Sequence, residues 1–257
     1  MYQGFYNLTS GMLTQQRNLN TVSNNMVNVQ TPGYKSDKMV SSTFAEEMLY
    51  RTGRTDKSEY EPLGITSKIR TAQRTYVNYE QGAFQPTDGI YDFALGGNGF
   101  FCIDTANGVQ YTRNGSFRVD EEGYLMLNNL GRVQGRGGQP IQINNENFVV
   151  TNGTIYGYDE DGVSRELGSL RVVDFEGEYQ DVLHKEDYGL YSTDAAPREV
   201  PQGETAVMWK TLERSNADLV EEMTSMITSQ RALQSAAQML KMYDQIMNKS
   251  ANEIGRL

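Results

Sequence analysis

The chain of 257 residues contains only one cysteine, one histidine and one tryptophan. A single cysteine, Cys102, excludes an intramolecular disulfide, and its apolar neighbours predict a buried strand position without a reactive thiol. A single histidine, His184, excludes a histidine-based zinc cluster and the HExxH arrangement of metalloproteases. We expect His184 in an exposed loop, and no G-x-S-x-G elbow supports a serine nucleophile. The sequence therefore predicts no metal site and no cofactor.

Long apolar runs are also missing. No stretch approaches the ~18 consecutive apolar residues of a membrane helix, so we expect no membrane insertion. The first residues, MYQGFYNLTSGML, have neither a basic segment nor a continuous apolar one, and we expect no cleaved signal peptide. If the protein leaves the cell, the sequence predicts a route that does not depend on such a peptide.

Negative charge is concentrated in the middle of the chain. Residues 81–209 carry 8 Lys and Arg against 20 Asp and Glu, whereas residues 1–80 carry 9 against 7 and residues 210–257 carry 6 against 6. The lack of a basic stripe argues against nucleic-acid binding. A solvated middle between near-neutral ends suits a subunit whose ends pack together. An acidic surface that only aids solubility fits the middle segment equally well.

Apolar residues recur at alternating spacings of three and four in the first 30 residues. This period is typical of a helix with a narrow a/d seam, and Thr31-Pro32-Gly33 ends the helix because proline disfavours helical geometry at the preceding residue. The pattern places Thr14 and Asn18 on the opposite, polar face, and Gln15 is a polar seam position. The predicted N-terminal seam comprises Phe5, Leu8, Met12, Leu19, Val22, Met26 and Val29.

The last 46 residues repeat the spacing. No proline or glycine interrupts 215–254, which predicts a long helix, and Ser215 with Asp218 suggests a capping arrangement at its start. Gln230 and Asp244 are polar seam positions, of the kind that fix register at some cost in stability. The predicted C-terminal seam comprises Leu212, Leu219, Met223, Met226, Leu233, Ala237, Leu240 and Met247.

The middle of the chain has the pattern of short strands and tight turns. Residues 100–104 and 109–112 flank Ala-Asn-Gly, and residues 117–119 and 124–127 flank Asp-Glu-Glu-Gly, so each pair predicts a hairpin. Further turn signals lie at Asn128-Asn129, Asn152-Gly153, Asp161-Gly162 and Glu176-Gly177. The spacing is typical of an all-β domain.

Possible site motifs in this region are weak. Gly96–Gly99 lacks the Lys-Ser/Thr pair and helix start of a phosphate-binding loop. Asp159–Gly162 lacks the alternating ligands and the final glutamate of a calcium loop, so both stretches favour β-turns. Paired carboxylates that would suit a glycosidase are plentiful, but no sequence feature brings one pair together. We therefore expect no enzyme.

These patterns predict an α+β fold, with long N- and C-terminal helices forming a coiled-coil-like assembly core and a mainly-β central domain. The predicted divisions are an N-terminal core helix at 1–33, an extended or partly β connector at 34–80, a mainly-β outer domain at 81–209 and a C-terminal core helix at 210–257. Two seamed helices at the chain ends can pair with each other, with other subunits, or both. The alternative is a monomeric protein in which the apolar stripes are ordinary core faces.

Three stretches resemble signatures of the bacterial flagellar rod and hook protein family, in the family's order. The first is Ser23–Lys35, with paired asparagines, a third asparagine and a turn containing glycine and tyrosine. The second is LGGNGFF at 95–101, continued by YTRNGSF at 111–117, and the third is LERSN at 212–216 with the helix after it. In the first stretch the resemblance singles out Asn24, Asn25, Asn28, Thr31, Pro32, Gly33 and Tyr34.

The resemblance implies a structural subunit of the flagellar rod, in a helical tubular homo-oligomer with the terminal helices inside and the β-domain outside. It also implies contacts with other flagellar axial proteins and export by the flagellar type III apparatus. The Asn-rich and Ser-Asn signatures favour a distal-rod type over a proximal one. A proximal-rod or hook-type paralogue is an alternative, as is a non-flagellar surface β-domain that binds glycans, although one tryptophan is few for glycan binding.

Overall fold

The computed structural model describes residues 2–52, 60–143, 147–158, 163–201 and 203–254. A long helix at each end of the chain, with mainly β-structure between them, confirms the predicted α+β class. The predicted turn Asp159–Gly162 lies outside the described residues. In chain order the helices and strands are α1 (Tyr2–Val27), β1 (Asp37–Thr52), β2 (Tyr60–Val77), β3 (Phe84–Pro86), β4 (Phe93–Gly96), β5 (Phe100–Thr105), β6 (Gly108–Thr112), β7 (Arg118–Val119), β8 (Leu125–Leu127), β9 (Gly131–Val133), β10 (Phe148–Thr151), β11 (Thr154–Tyr158), β12 (Ser164–Ser169), β13 (Val172–Asp174), α2 (Tyr179–Val182), β14 (His184–Lys185), β15 (Leu190–Ser192), β16 (Arg198–Glu199), β17 (Ala206–Trp209), β18 (Thr211–Glu213) and α3 (Leu219–Ile254).

The chain folds into two compact units, each made of stretches that are distant in the sequence. Unit 1 comprises Met1–Met26, Asp37–Tyr76 and Asp218–Leu257, and unit 2 comprises Val27–Ser36 and Val77–Ala217. The backbone therefore passes from one unit to the other four times. No helix in the described ranges combines the length and the hydropathy needed to cross a lipid bilayer.

The helix α1 ends at Val27 in a turn that precedes Pro32. The Thr31 N–H donates to the Asn28 carbonyl over 3.1 Å, and the Thr31 hydroxyl to Asn28 Oδ1 over 3.2 Å. Val29, the last residue of the predicted N-terminal seam, lies in this turn and not on the helix. The helix thus ends four residues before the predicted stop at Thr31. The reason is that the hydrogen bonds between Asn28 and Thr31 compete with helical ones.

The helix α3 begins at Leu219, later than the predicted boundary at 210. Asp218 caps it, since Asp218 Oδ1 accepts the N–H groups of Val220 over 2.8 Å and of Glu221 over 3.3 Å. Residues before this cap are extended: Leu212, predicted to lie on the helical seam, belongs to β18 and pairs with β3. The 3-4 spacing of apolar residues extends by coincidence into this strand. Apolar spacing alone therefore does not mark where a helix begins.

The predicted connector at 34–80 contains the two longest strands of the described chain. The strands β1 and β2 hydrogen-bond to each other in a two-stranded sheet, and nearly all of their length belongs to unit 1. The connector is therefore mostly β-structure.

Unit 2 is built around a nine-stranded sheet. The main path has the order β14-β15-β6-β5-β9-β8-β7, and β13 joins it by pairing with β5 and β16. Both predicted hairpins are present, with Cys102 opposite Tyr111 in one and Arg118 opposite Met126 in the other. The predicted turn Asn152-Gly153 joins β10 to β11, and both of its residues have positive φ, as a tight hairpin turn requires.

Both faces of β5 are buried, which gives unit 2 two apolar cores. Phe101 and Ile103 point into one core, and Phe100 and Cys102 point into the other, as the two-residue period of a strand demands. Cys102 is fully buried, as predicted, and burial raises the pKa of its thiol to about 12. His184 is exposed, as predicted, but it lies in the short strand β14 and not in a loop, because it pairs with Ser192 of β15.

Candidate assembly site

Within unit 1, α1 and α3 pack antiparallel, and two hydrogen bonds between side chains join them. Asn18 Nδ2 donates to Ser229 Oγ over 2.8 Å, and Asn25 Nδ2 donates to Glu222 Oε1 over 2.7 Å. A step of seven residues forward on α1 is thus matched by seven residues backward on α3. The two helices keep a fixed register, which is the pairing of the chain ends that the sequence left open.

The register continues to the beginning of α1, where a Cβ on Gly4 would lie 3.6 Å from the hydroxyl oxygen of Tyr243. On α3, the least exposed positions alternate at spacings of three and four, which is the spacing of a coiled-coil seam. Every second one is a predicted seam residue, and the others lie one position before a predicted one. This inner line of α3 comprises Met226, Ser229, Leu233, Ala236, Leu240, Tyr243 and Met247.

The inner face of α1 is displaced from the predicted seam in the same way. Val22 lies buried, but so do Thr14 and Asn25, and Asn18 bonds across the helix pair. The assignment of Thr14 and Asn18 to a face away from the pair was therefore wrong. The reason is that inner positions of α1 carry polar residues such as Thr14 and Asn18, and apolar periodicity does not detect polar residues.

As a result, apolar side chains remain on the outside of the helix pair. Tyr6, Leu13 and Val27 are separated by multiples of seven residues on α1 and are 62%, 62% and 80% exposed. The predicted seam residue Phe5 borders this line and is 36% exposed. Four other predicted residues, Leu8, Met12, Leu19 and Met26, are half-buried. The outer apolar residues of α3 are Leu219, Val220, Met223, Ile227, Met239, Met242 and Ile246, and the predicted residue Ala237 is exposed as well.

Asn25 also fixes the start of β1 in unit 1. Its amide nitrogen donates to the Asp37 carbonyl over 2.8 Å, and its amide oxygen accepts the Asp37 N–H over 2.9 Å. With its bond to Glu222, this one side chain holds three separate stretches of the chain. Burial raises the pKa of Glu222, against the lowering effect of the hydrogen bond from Asn25.

In unit 2, Gly33 brings the first signature against the second and the third. Its N–H donates to the Glu213 carbonyl over 2.7 Å, and its φ of 68° is in the left-handed region that glycine adopts most easily. A Cβ at this position would lie 2.3 Å from the carbonyl carbon of Arg113. A residue with a side chain cannot occupy this position without moving the backbone of Arg113.

Beside Gly33, the side chain of Lys35 is buried against Glu213. Lys35 Nζ donates to Glu213 Oε1 over 2.7 Å and to the Glu80 carbonyl over 2.8 Å, and the N–H of Gly82 donates to the same Glu213 oxygen over 3.0 Å. The side chains of Lys35 and Glu213 are only 2% and 1% exposed. Burial lowers the pKa of Lys35, while the Glu213 carboxylate opposes that effect.

Arg113 of the second signature completes this cluster. Its Nη1 lies 3.6 Å from Glu213 Oε2, and its guanidinium carbon lies 5.2 Å from the centre of the Phe100 ring. Burial lowers the pKa of Arg113, and the Glu213 carboxylate again opposes this. All three signatures therefore meet at one buried group of charges, which we call the signature cluster: Lys35, Arg113 and Glu213.

Asn216 of the third signature joins further stretches of unit 2. Asn216 Oδ1 accepts the Ser36 N–H over 2.8 Å, and Asn216 Nδ2 donates to the Asn78 carbonyl over 2.8 Å. The Asn78 N–H donates to the Ser36 carbonyl over 2.7 Å. These three residues thus form a closed ring of hydrogen bonds, close in sequence to three of the four points at which the backbone passes between the units.

The remaining motif residues have local roles. The Tyr34 ring is buried in unit 2, with Lys185 Nζ 4.1 Å from its centre. Pro32 is half-buried and Asn24 is exposed. The sequence singled out the first signature but not Lys35, Arg113, Glu213 or Asn216 as site residues. Each of them stands in a quoted signature, where it is a charged or amide side chain.

In the part of the chain that the structure describes, no three His, Cys, Asp or Glu side chains are grouped so that they could hold a metal ion. Lys35 and Glu213 are hydrogen-bonded to each other and to the backbone, which is a structural use of charge.

Models of known families match the chain at three places. Residues 5–35 match the flagella basal body rod protein family, residues 94–161 the D1 domain of the flagellar hook protein FlgE/F/G family, and residues 210–254 the C-terminal region of the flagellar basal body rod FlgEFG proteins. These ranges contain Gly33 and Lys35, Arg113, and Glu213 respectively, so the signature cluster joins all three.

Whole-length relatives agree with these matches. The Bacillus subtilis flagellar basal-body rod protein FlgG is 30% identical over 269 residues, which cover 98% of this chain and 99% of the relative. The Bacillus subtilis flagellar hook-basal body complex protein FlhO is 30% identical over 286 residues and 100% of both chains, and the Caulobacter vibrioides rod protein FlgF is 30% identical over 255 residues and 96% of both. The chain belongs to the flagellar basal-body rod protein family.

Proposed function

We propose that this protein is a subunit of the flagellar rod that polymerises through the outer apolar faces of α1 and α3. The flagellar rod relatives are structural proteins and not enzymes, and the family assigns the chain to the basal body. Three parts of the function are proposed here: that the chain polymerises, where it lies in the rod and how it is exported.

The observation that carries the proposal is the outer apolar surface of the helix pair. Leu13 and Val220 are 62% and 73% exposed in the single chain, although each belongs to a helix that already has a partner. Exposed apolar surface of this extent marks an interaction site on a soluble protein. Covering it with further copies stabilises an assembly by about 25 cal/mol for each Å² of apolar surface buried.

The hydrogen bonds inside the helix pair support the same conclusion. Asn18 and Ser229 form the kind of contact that fixes register rather than one that supplies most of the stability. The helix pair therefore has a defined geometry in one chain, and exposed apolar residues on its outer faces are left for neighbours. Contacts between unlike faces of successive copies generate an open helical filament instead of a closed ring.

Within the axis, we place the protein among distal-type rod subunits, next to other rod and hook proteins. The support is the pattern of asparagines at Asn24, Asn25 and Asn28 and the Ser215-Asn216 pair. Relatives named FlgG and FlgF match at equal identity, so the sequence signatures carry this step alone. Export by the flagellar type III apparatus follows from the same family membership.

Charge substitutions on the outer faces test polymerisation. Leu13→Glu and Ile227→Glu introduce charge at positions that are 62% and 49% exposed, so each variant should fold. We expect both to lose filament formation in electron micrographs and to restore no motility to a strain that lacks the gene. Gln16→Glu, at an exposed polar position of α1, is the matched control and should assemble normally. Filaments of normal length from Leu13→Glu would contradict the proposal.

The place in the rod requires a separate measurement. A small epitope tag carried by the exposed turn at Asn107 would be located by immunogold labelling of purified hook–basal bodies. Label next to the hook supports the distal type, label near the membrane end supports a proximal subunit, and label along the hook supports a hook-type paralogue.

A further inference from the structure

A strongly exposed aromatic side chain projects from a turn of unit 2. Tyr188 is 76% exposed, and its φ of 62° is in the left-handed region that bulky residues avoid. Gly189 after it also has positive φ, and its carbonyl accepts a hydrogen bond of 3.1 Å from Thr112. Strain of this kind persists where the surroundings impose it, and it clusters at sites of recognition. We call this projection, with the adjacent Asp187, the tyrosine tip.

Unit 2 also has an aromatic cavity that the signature cluster does not use. It has a volume of about 330 Å³ and is lined by Ile90, Asn147, Phe148, Val149, Tyr158, Trp209 and Lys210. The Trp209 indole is held in place because its N–H donates to the Ile90 carbonyl over 2.7 Å. Lys210 Nζ lies 4.7 Å from the centre of the Trp209 ring, so the cavity has a positive charge in its lining.

We propose that the tyrosine tip of one copy of this chain inserts into the aromatic cavity of the next copy. The ring of Tyr188 would pack against Trp209, and the carboxylate of Asp187 would meet the ammonium of Lys210. This inference rests on the proposed polymerisation and adds a contact between unit 2 domains to it. A projection and a cavity on the same unit form a contact between unlike faces, which propagates along a filament without closing.

Charge and shape select a second copy as the occupant. Residues 81–209 are strongly acidic, so two such domains repel each other unless a local contact of opposite charge brings them together. Lys210 at the cavity supplies the positive charge, and Asp187 supplies its negative partner. The contact is expected to be weak between isolated domains and to form when polymerised helices raise the effective concentration of neighbouring tips.

Disulfide trapping in the full-length chain tests the contact. Tyr188→Cys and Val149→Cys chains would be mixed under assembly conditions and oxidised, since the native Cys102 is buried and does not interfere. We expect a crosslinked dimer that contains one chain of each kind. Val109→Cys, at a position 40% exposed like Val149, replaces Val149→Cys in the control and should give roughly tenfold less product. Equal yields with both partners would overturn the proposal.

Charge reversal gives an independent readout. Asp187→Lys or Lys210→Glu alone should reduce the crosslink yield, and the two changes in the same chain should restore it. We expect assembly to change the fluorescence of Trp209. Tyr188→Asn keeps a residue that tolerates left-handed backbone, so it should fold yet abolish this expected change. Normal filaments without the crosslink would refute only this contact, whereas a lack of filaments in the unmodified chain would refute polymerisation. Capture of a glycan by the cavity, with no crosslink, would also overturn the proposal.

Discussion

Lys35 Nζ lies 2.7 Å from Glu213 Oε1, although 178 residues separate them in the sequence. Both side chains are almost completely buried, and Arg113 approaches the other oxygen of the same carboxylate. Unit 2 is therefore completed by residues from both ends of the chain. The ends of the chain also form the helix pair of unit 1. The Lys35–Glu213 contact therefore makes the folding of unit 2 depend on the first and the third signature.

Removing one partner of this buried pair should destabilise unit 2 strongly. Lys35→Met leaves the Glu213 carboxylate buried with only Arg113 as a cationic neighbour, and we expect a loss of about 3–5 kcal/mol in the free energy of unfolding. Denaturant titration followed by the fluorescence of Trp209, the one tryptophan, measures this for unit 2. Lys35→Met combined with Glu213→Leu should cost less than the sum of the single changes. Additive losses would show that the two charges do not interact.

Gly33→Ala should destabilise unit 2 for two reasons that a control separates. The backbone at Gly33 has φ of 68°, and a Cβ would lie 2.3 Å from the Arg113 carbonyl carbon. We expect a loss of roughly 2–5 kcal/mol from strain and overpacking together. Gly137→Ala has a φ of 91° with no atom within 4 Å of the new Cβ, so it should lose only about 1–2 kcal/mol. Equal losses for both variants in the same denaturant titration would mean that the close approach does not matter.

The sequence predicted the two terminal helices, two hairpins and the turn at Asn152-Gly153, because their signals are local. The hairpin turn at Asn107-Gly108 and the left-handed turn at Asn152-Gly153 depend on residues next to one another, and both formed where expected. The long terminal helices also followed from spacing. The start of α3 is decided by the cap at Asp218, a residue that the sequence indicated together with Ser215. The predicted boundary at 210 was too early because the apolar period continues past that cap to Leu212.

The signature cluster and the inner face of the helix pair could not be predicted in this way. No local sequence pattern identifies Glu213 as the partner of Lys35, because only the tertiary structure brings the two residues together. The inner face was misplaced because Asn18 and Ser229 stabilise it by a hydrogen bond, and apolar spacing detects only hydrophobic contacts. Resemblance to a family identified the right stretches, but the structure was needed to show that they meet.

The thiol of Cys102 should resist alkylation until unit 2 unfolds. The side chain is fully buried, and burial raises its pKa to about 12, so almost no thiolate is present at neutral pH and no reagent can reach it. Reaction with iodoacetamide, followed by mass spectrometry across a denaturant series, should show labelling that parallels the change in Trp209 fluorescence. An added Val109→Cys thiol, at an exposed position, should react without denaturant. Rapid labelling of Cys102 in the native chain would contradict its place in the core.

Replacing Glu222 with glutamine should leave the helix pair at least as stable at neutral pH. Burial raises the pKa of Glu222 above its ordinary value of 4.5, so the folded state favours the protonated carboxyl. The stability that Glu222 contributes is therefore present below pH 4.5 and is lost as the pH rises through the folded pKa. Glutamine imitates the protonated form and still accepts the hydrogen bond from Asn25, so the variant should keep that stability up to neutral pH.

Thermal unfolding followed by far-ultraviolet circular dichroism, which reports chiefly on α1 and α3, measures the difference between the two proteins. Glu221→Gln removes the same charge one residue earlier, from an exposed side chain, and should change this pH dependence less. A Glu222→Gln protein that is clearly less stable than the parent at neutral pH would mean that the charged carboxylate, and not its hydrogen bond, holds Asn25 in place.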